Sequence, residues 1–449
     1  MYKTYLQGKD KKSKESKSQD FLLKKSEVHL SKLLVTLDKH LDKRLVRTFY
    51  NLFIAILILR NRSIGLLLSE LGGYICGFNR APAGTKRISN LLRSKKWTHE
   101  IIDQYLFDRA KQRIKELCAK GIRPLLLWDD SRLEKHESWY LEGLCSVYSS
   151  RGQRLTKIKK GFYKPPSSRI CVPGFKWTAT MLSHLGGIPS VCQMTWWTTR
   201  GPHKEIGTNI IFRMLKRLKE EVGSGLLHVL DRGYANLWTI EWMLYFHQDF
   251  LIRWKKNHLL VHTLKGKKKT HLLARSFKGE RTKRVFDKER KQFRKVSVAW
   301  AEVSHPDLPK HKLYLIILRD KRGKNPPIYF LTSIPIEKAK TAWEMCFSYM
   351  HRWEIEQSFR FCKSELAMES PRLWFWENRL KLLAIVTLIY DFLLSLLRNW
   401  KAWVAPFLRQ WGHRTGNRYR NASIPIYRLR GAISICLFCA FAHLQQNSG

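Results

Sequence analysis

Two short apolar runs in this 449-residue chain stop abruptly at acids. Pro124-Leu-Leu-Leu-Trp128 runs into Asp129, Asp130 and Ser131, and Gly225-Leu-Leu-His-Val-Leu230 runs into Asp231-Arg232-Gly233-Tyr234. Apolar runs of this length between turn residues read as buried strands. A carboxylate at the end of such a strand is fixed at the sheet edge beside apolar neighbours, where it can hold a hard cation or simply form a turn. Side chains alternate along a strand, so Asp129 and Asp130 point to opposite faces and only one can enter a site shared with Asp231. A third acid lies in Tyr349-Met-His-Arg-Trp-Glu-Ile-Glu356-Gln-Ser-Phe-Arg-Phe-Cys-Lys363. At about 100° per residue, Tyr349, Arg352, Glu356 and Lys363 fall within about 60° of one another on a helix, and His351 points elsewhere. A carboxylate for a metal ion, an Arg and a Lys for phosphate and a phenol for a further hydrogen bond make the set that phosphodiester chemistry requires. The plain alternative for that face is a salt-bridged amphipathic helix, since Arg352 and Glu356 stand at the i,i+4 spacing.

The composition asks for the partner that this chemistry needs. Lys and Arg number 83 against 36 Asp and Glu, a formal net charge of +47. Such a surplus repels itself in a compact state and calls for a polyanion, because each phosphate neutralised releases a counterion. Hydrophobic residues make up 44% and aromatics 12%, which excludes a disordered basic tail and mounts the charge on a packed fold. Nine Cys without a framework imply reduced thiols in a cytosol-like compartment, and the single Cys436/Cys439 pair falls short of a zinc site. Met1 to Asp20 is Lys- and Ser-rich, with no apolar segment of signal-peptide length. Leu52 to Leu68 and Leu380 to Leu397 are apolar enough to raise a membrane span. Arg60, Asn61 and Arg62 break the first and Lys381 and Asp391 the second, so both are expected as buried core helices.

The elements that must position the acids follow from the pattern. Residues 1–30 are expected as a basic disordered arm and 31–120 as a helical DNA-binding domain. In the latter, Lys86, Arg87, Arg93, Lys95 and Lys96 surround Ile88, Leu91 and Leu92, as in a helix lying on phosphates or an ordinary solvated face. Residues 121–252 carry the two acid-ended strands, a hairpin from Lys176 to Trp197 around Gly186-Gly187-Ile188-Pro189, and a strand at Asp249 to Arg253. Arg253 to Lys295 holds 17 Lys or Arg against three acids and leads into alternating runs at Val296 to Val303, Leu313 to Leu318 and Ile328 to Thr332. Residues 253–333 therefore read as a β-rich basic insertion, 334–400 as helical, completing the core begun by 121–252, and 401–449 as a C-terminal helical region. The fold class is α/β.

With those residues on the page, the chain resembles the DDE transposases of the insertion-sequence-4 type. Their signature runs Tyr, two residues, Arg, three residues, Glu, six residues, Lys, and Tyr349, Arg352, Glu356 and Lys363 match it without a gap. The Asp231-Arg-Gly-Tyr segment is similar to that family's second acidic motif. Asp129-Asp130-Ser131 is similar to its first, an Asp one residue before Ser or Thr, which favours Asp129 over Asp130. The resemblance covers about Lys86 to Trp400.

It implies an RNase H-like catalytic core interrupted by a β-rich insertion, between an N-terminal helical DNA-binding domain and a C-terminal helical region. Asp129, Asp231 and Glu356 would be catalytic and hold two Mg²⁺ ions, with Mn²⁺ able to substitute. Tyr349, Arg352 and Lys363 would hold terminal phosphates and a flipped base. Some relatives stack that base on a Trp before a Leu-Thr-Ser turn; Leu331-Thr332-Ser333 supplies the turn, and Tyr329 either replaces the Trp or is a core aromatic. Arg232, Lys86, Arg87, Arg93, Lys267, Lys268 and Lys269 are the other candidate DNA contacts. The expected protein is a DNA transposase of a bacterial insertion sequence that binds inverted-repeat ends and target DNA, cuts and joins them, and synapses two ends as a homodimer. It would be cytoplasmic, nucleoid-associated when bound, with no membrane partner. The competing reading is a catalytically inactive, transposase-derived DNA-binding protein; the complete acid set favours the first.

Overall fold

The computed structural model describes residues 2–59, 65–136, 138, 140–150, 152, 169–287, 292–320, 325–412 and 426–446. Arg60, Asn61 and Arg62 lie outside the described residues, as does 413–425 of the C-terminal region. Five helices open the chain: α1 (Tyr2–Asp38), α2 (Lys43–Ile58), α3 (Leu68–Cys76), α4 (Ala81–Arg93) and α5 (Glu100–Ala119). Strands β1 (Leu125–Glu134), β2 (Cys145–Tyr148), β3 (Cys171–Ser183) and β4 (Ser190–Trp197) follow, then α6 (Gly207–Glu221), β5 (Leu227–Leu230), α7 (Leu237–Tyr245) and β6 (Asp249–Trp254). Next come β7 (Leu259–His262), β8 (Gly266–Lys269), α8 (Thr270–Arg275), β9 (Arg281–Asp287), β10 (Gln292–His305), β11 (Leu308–Asp320) and β12 (Ile328–Thr332). Helices α9 (Ala339–Met350), α10 (Trp353–Ser364), α11 (Trp376–Leu397), α12 (Ala405–Trp411) and α13 (Ile426–Gln446) complete it.

The strands form one large mixed sheet in the order β2-β3-β1-β5-β6-β12-β11-β10-β7-β8, with β4 also on β3 and β9 on β10. Near its middle, β3 is antiparallel to β1, while β1, β5 and β6 run parallel. The hairpin expected between Lys176 and Trp197 is β3 and β4, turning through Gly186 at φ 77°. Alternation along β1 divides the molecule. Leu125 and Leu127 enter a core shared with α1–α4 and α9–α13, whereas Leu126 and Trp128 enter a second core with α6, α7 and α8.

Four expectations change. The first concerns the N-terminal arm: residues 2–30 are the front of α1, whose Leu22, Leu30, Leu33 and Leu37 are buried. That three-and-four spacing is an apolar stripe that the Lys density concealed. Second, the N- and C-terminal helices are not separate units but share the first core. Buried Arg430 of α13 donates to the carbonyls of Ile56, Leu57 and Leu59, capping the last turn of α2. Third, the β-rich stretch is continuous with the main sheet rather than a sheet of its own: β12 pairs with β6 and β11 with β12. Fourth, the single helix expected to carry Tyr349 to Lys363 is interrupted at His351–Arg352.

Helix α11 is long and apolar enough to cross a membrane, yet 94% of its apolar window is buried inside the fold. Lys381 and Asp391, the two charges within Leu380 to Leu397, are answered internally. Lys381 Nζ donates to the carbonyls of Leu92 (3.0 Å) and Ser94 (2.8 Å); Asp391 pairs with Arg109 at 3.3 Å and accepts from the Val191 amide at 3.2 Å.

His29 fastens α1 to this helix, its ring edge-on to Phe392 at 5.2 Å. Burial, helped by the Arg109 charge, pushes its pKa down to about 3, so at neutral pH it is uncharged beside Asp391. On unfolding the imidazole regains its ordinary value near 6.5 and takes up a proton. The stability that this contributes is full above pH 6.5 and is lost as pH falls towards 3, at about 1.4 kcal/mol per pH unit for one proton. Urea unfolding at pH 7 and pH 5 should show a steeper loss for wild type than for His29→Gln; parallel losses would remove His29 as the cause.

Candidate active site

Strand β5 ends at Leu230, while β1 continues to Glu134 paired only with β3. This leaves a notch beside β1 into which Asp231 follows from its own strand. Opposite it, α9 ends at Met350 and α10 starts at Trp353, but the two linking residues keep helical backbone angles (His351 −67°, −20°; Arg352 −53°, −30°). The angular relation of Tyr349, Arg352 and Glu356 therefore survives the break.

Arg352 is the centre of the site. Its Nη1 donates to Asp129 Oδ2 at 3.3 Å, its Nη2 to Glu356 Oε1, and its Nε lies 4.0 Å from Asp231 Oδ1. One guanidinium from α10 thus gathers acids from β1, the end of β5 and its own helix. Tyr349 donates its phenol proton to Asp231 Oδ1 at 3.3 Å, and its ring packs 4.7 Å from Phe330. Burial pushes the Tyr349 phenol up to about 12, so it remains a donor at neutral pH. Burial also raises Asp129 to about 7, outweighing the Arg352 charge that favours its ionised form.

Asp130 faces the other core, as alternation requires. It accepts from Thr178 Oγ1 at 2.6 Å and from the Tyr234 hydroxyl at 2.9 Å, and has no part in the Arg352 cluster. Its backbone amide donates to Asp129 Oδ1 at 2.9 Å, which helps to orient the neighbouring carboxylate.

Among the described residues no three His, Cys, Asp or Glu side chains stand close enough to hold a metal ion by themselves. The acids are instead spaced around Arg352. The chemistry of the donor set, three carboxylates without thiolate or imidazole, fits a hard oxygen-seeking divalent cation. His351 is engaged elsewhere, with Nδ1 2.9 Å from Glu354 Oε1.

The remaining candidates separate. Lys363 stands two turns beyond Glu356, about 10.5 Å along the helix axis, and pairs with Glu369 at 3.4 Å. Of the two readings of Tyr329 the structure has the core aromatic: it is 7% exposed in the second core, and Phe330, on the other face of β12, is the aromatic that meets Tyr349. Arg232 is exposed on the turn after Asp231, and Lys86, Arg87 and Arg93 are exposed on α4. Lys267, Lys268 and Lys269 are exposed on β8, at the far edge of the sheet from β1. Thr178, Tyr234 and Phe330 are contributors that the sequence did not single out. Tyr234 was visible inside the Asp-Arg-Gly-Tyr motif, and Phe330 through its alternation with Tyr329.

No protein-family model and no curated protein matches this chain. Among solved structures it is similar to piggyBac transposase, seen by cryo-EM in a synaptic complex with hairpin DNA. The identity is 10%, over 90% of this chain and 73% of that one, with a TM-score of 0.40. At that distance the functional reading rests on the site's own geometry.

Proposed function

We propose that this protein is a DDE transposase of the insertion-sequence-4 type, cutting and joining DNA phosphodiesters at Asp129, Asp231 and Glu356. The observation that carries this reading is the convergence of three carboxylates, from two neighbouring parallel strands and a facing helix, on the single cation Arg352. The strand succession β4-β3-β1-β5-β6, three antiparallel followed by two parallel to the first, supports an RNase H-like core. The net charge of +47 supports DNA as the substrate.

Asp129, Asp231 and Glu356 would hold the divalent ions, Mg²⁺ by expectation and Mn²⁺ in its place, which polarise the phosphate and lower the pKa of attacking water. Tyr349 keeps Asp231 turned into the site through its hydroxyl. Arg352 offsets part of the charge of the three acids, and its planar fork suits it to bind a phosphate bidentately when DNA arrives. Lys363, two turns away, would reach a neighbouring phosphate. Homodimeric synapsis of two inverted-repeat ends, action on target DNA and a cytoplasmic, bacterial setting belong to the same proposal.

The test is excision of a marked DNA segment bounded by the sequences that flank this gene, with Mg²⁺ and with chelator. Wild type should cut at both ends only with the ion, and Glu356→Gln should bind the ends without cutting. Binding by both proteins with cutting by neither, in Mg²⁺ or Mn²⁺, would leave the DNA-binding reading in its place.

A further inference from the structure

Where α5 and α11 both pack on β4, at the edge of the sheet, there is a small cavity of about 140 Å³. Arg109 and Arg113 reach it from α5, one turn apart, Arg398 from the residue that ends α11, and Ser190 from the start of β4. It is separate from the Arg352 cluster: Ser190 pairs with Leu182, which pairs with Leu126, three residues before Asp129. Two acids, Asp391 and Glu116, also line it, and both are engaged. Asp391 is held by Arg109 and the Val191 amide, and Glu116 by Arg113 at 3.2 Å and the Gln112 side-chain amide at 3.4 Å. Three guanidiniums therefore share two carboxylates, and one cation is left over.

That cation is Arg398. Among the described residues its guanidinium makes no hydrogen bond or ion pair, and its Nε is buried without a partner. Burial and the neighbouring Arg113 and Arg109 charges lower its pKa, outweighing the pull of Asp391. A guanidinium withdrawn from water beside two others is costly unless something answers it. The second unanswered donor is Ser190: it is 6% exposed, and among the described residues its hydroxyl has no partner. Buried polar groups are ordinarily hydrogen-bonded. Both unanswered groups line one cavity and both can donate, so the partner they lack is an acceptor carrying negative charge. A planar guanidinium fork with a hydroxyl beside it suits a tetrahedral oxyanion. Pockets for small organic ligands run from about 300 to 1,000 Å³. This cavity is less than half the lower figure, so it admits a single phosphate group and not the sugar and base of a nucleotide.

We propose that this cavity binds one phosphate group, held by Arg398, Arg113 and the Ser190 hydroxyl, which ties α5, α11 and β4 together at the edge of the sheet. Two sources offer that chemistry, the free phosphate ion and the backbone of bound DNA. The site stands whether or not DNA is cut at Asp129.

The test uses the full chain, in chelator and at fixed ionic strength. Calorimetric titration with inorganic phosphate should show one ion on the wild-type chain that two variants bind more weakly. Arg398→Gln should lose about tenfold in affinity and Ser190→Ala about fivefold, for one charged and one neutral hydrogen bond. Arg352→Met should keep the ion; a phosphate lost with that variant belongs to the other guanidinium and overturns the cavity. Titration with a duplex of arbitrary sequence over a range of salt then gives the source. If the group belongs to DNA, both variants bind the duplex more weakly, and Arg398→Gln lowers the slope of log affinity on log salt by about one. If it is the free ion, Ser190→Ala weakens phosphate binding and leaves the duplex unaffected. Ser190→Ala removes a hydroxyl without changing charge, and it decides the matter if Arg398→Gln fails to show a folded circular-dichroism spectrum. Unchanged affinity of Ser190→Ala for both phosphate and duplex overturns the proposal, since an effect of Arg398→Gln alone would then be one of net charge.

Discussion

Asp129→Asn should reduce metal-dependent DNA cutting by about a thousandfold, whereas Asp130→Asn should reduce it about tenfold. The two residues are adjacent and identical, and the contrast follows from which way each points. Asp129 Oδ2 lies 3.3 Å from Arg352, in the cluster shared with Asp231 and Glu356. An Asn there keeps the size and removes the charge that a divalent ion needs. Asp130 accepts two hydroxyl hydrogen bonds, from Thr178 and Tyr234, on the far face. An Asn can keep one of them through its carbonyl oxygen, but the other hydroxyl must turn to accept from its NH₂, and the strand end that carries Asp129 loosens. Initial nicking rates in Mn²⁺ would measure both. Equal losses would mean that the strand end acts as a unit, and a larger loss for Asp130→Asn would transfer the ligand role to it.

Replacing the central cation has a different signature. Arg352→Met should lower stability in chelator by about 2 to 3 kcal/mol, because it leaves carboxylates uncompensated in a partly buried site. The Asp129 side chain is 16% exposed and that of Asp231 36%, so water screens part of the repulsion and the lower end of the range for broken buried pairs applies. Added Mn²⁺ should then raise the melting temperature of the variant more than that of wild type, since an ion that binds the folded form stabilises it and here meets no competing guanidinium. Thermal melts of both proteins with and without Mn²⁺ test this directly. Equal shifts would show that Arg352 and the ion do not share the three acids.

The strands were legible because each obeys a simple local rule. Leu125 to Trp128 and Leu227 to Leu230 are apolar runs ended by acids, and Gly186 marks the hairpin turn with its left-handed backbone. The signature helix face survived a helix break that its spacing could not reveal, because His351 and Arg352 stay helical through the turn. What the sequence hid was set by tertiary contact. Nothing local distinguishes α1 from a solvated Lys-rich arm except the sparse stripe Leu30, Leu33 and Leu37, whose value depends on a core supplied by residues far along the chain. The same holds for Tyr329 and Phe330: both are aromatic, and only pairing with β6 and β11 decides which one meets Tyr349. Arg352 was legible as a phosphate ligand by type, but its position between three carboxylates required their convergence in space.

The cap that Arg430 places on α2 bears on how the chain is made. The carbonyls it satisfies lie 371 to 374 residues earlier in the sequence. At ribosomal rates of about 5 to 20 residues per second, helix α2 waits roughly 20 to 75 s after its own synthesis before its closing partner emerges. During that interval its apolar face, Phe49, Leu52, Phe53 and Ile56 among others, has α1, α3 and α4 beside it but lacks α11 and α13. Premature arrest of translation before α13 should therefore leave the end of α2 without its cap and part of its apolar face open.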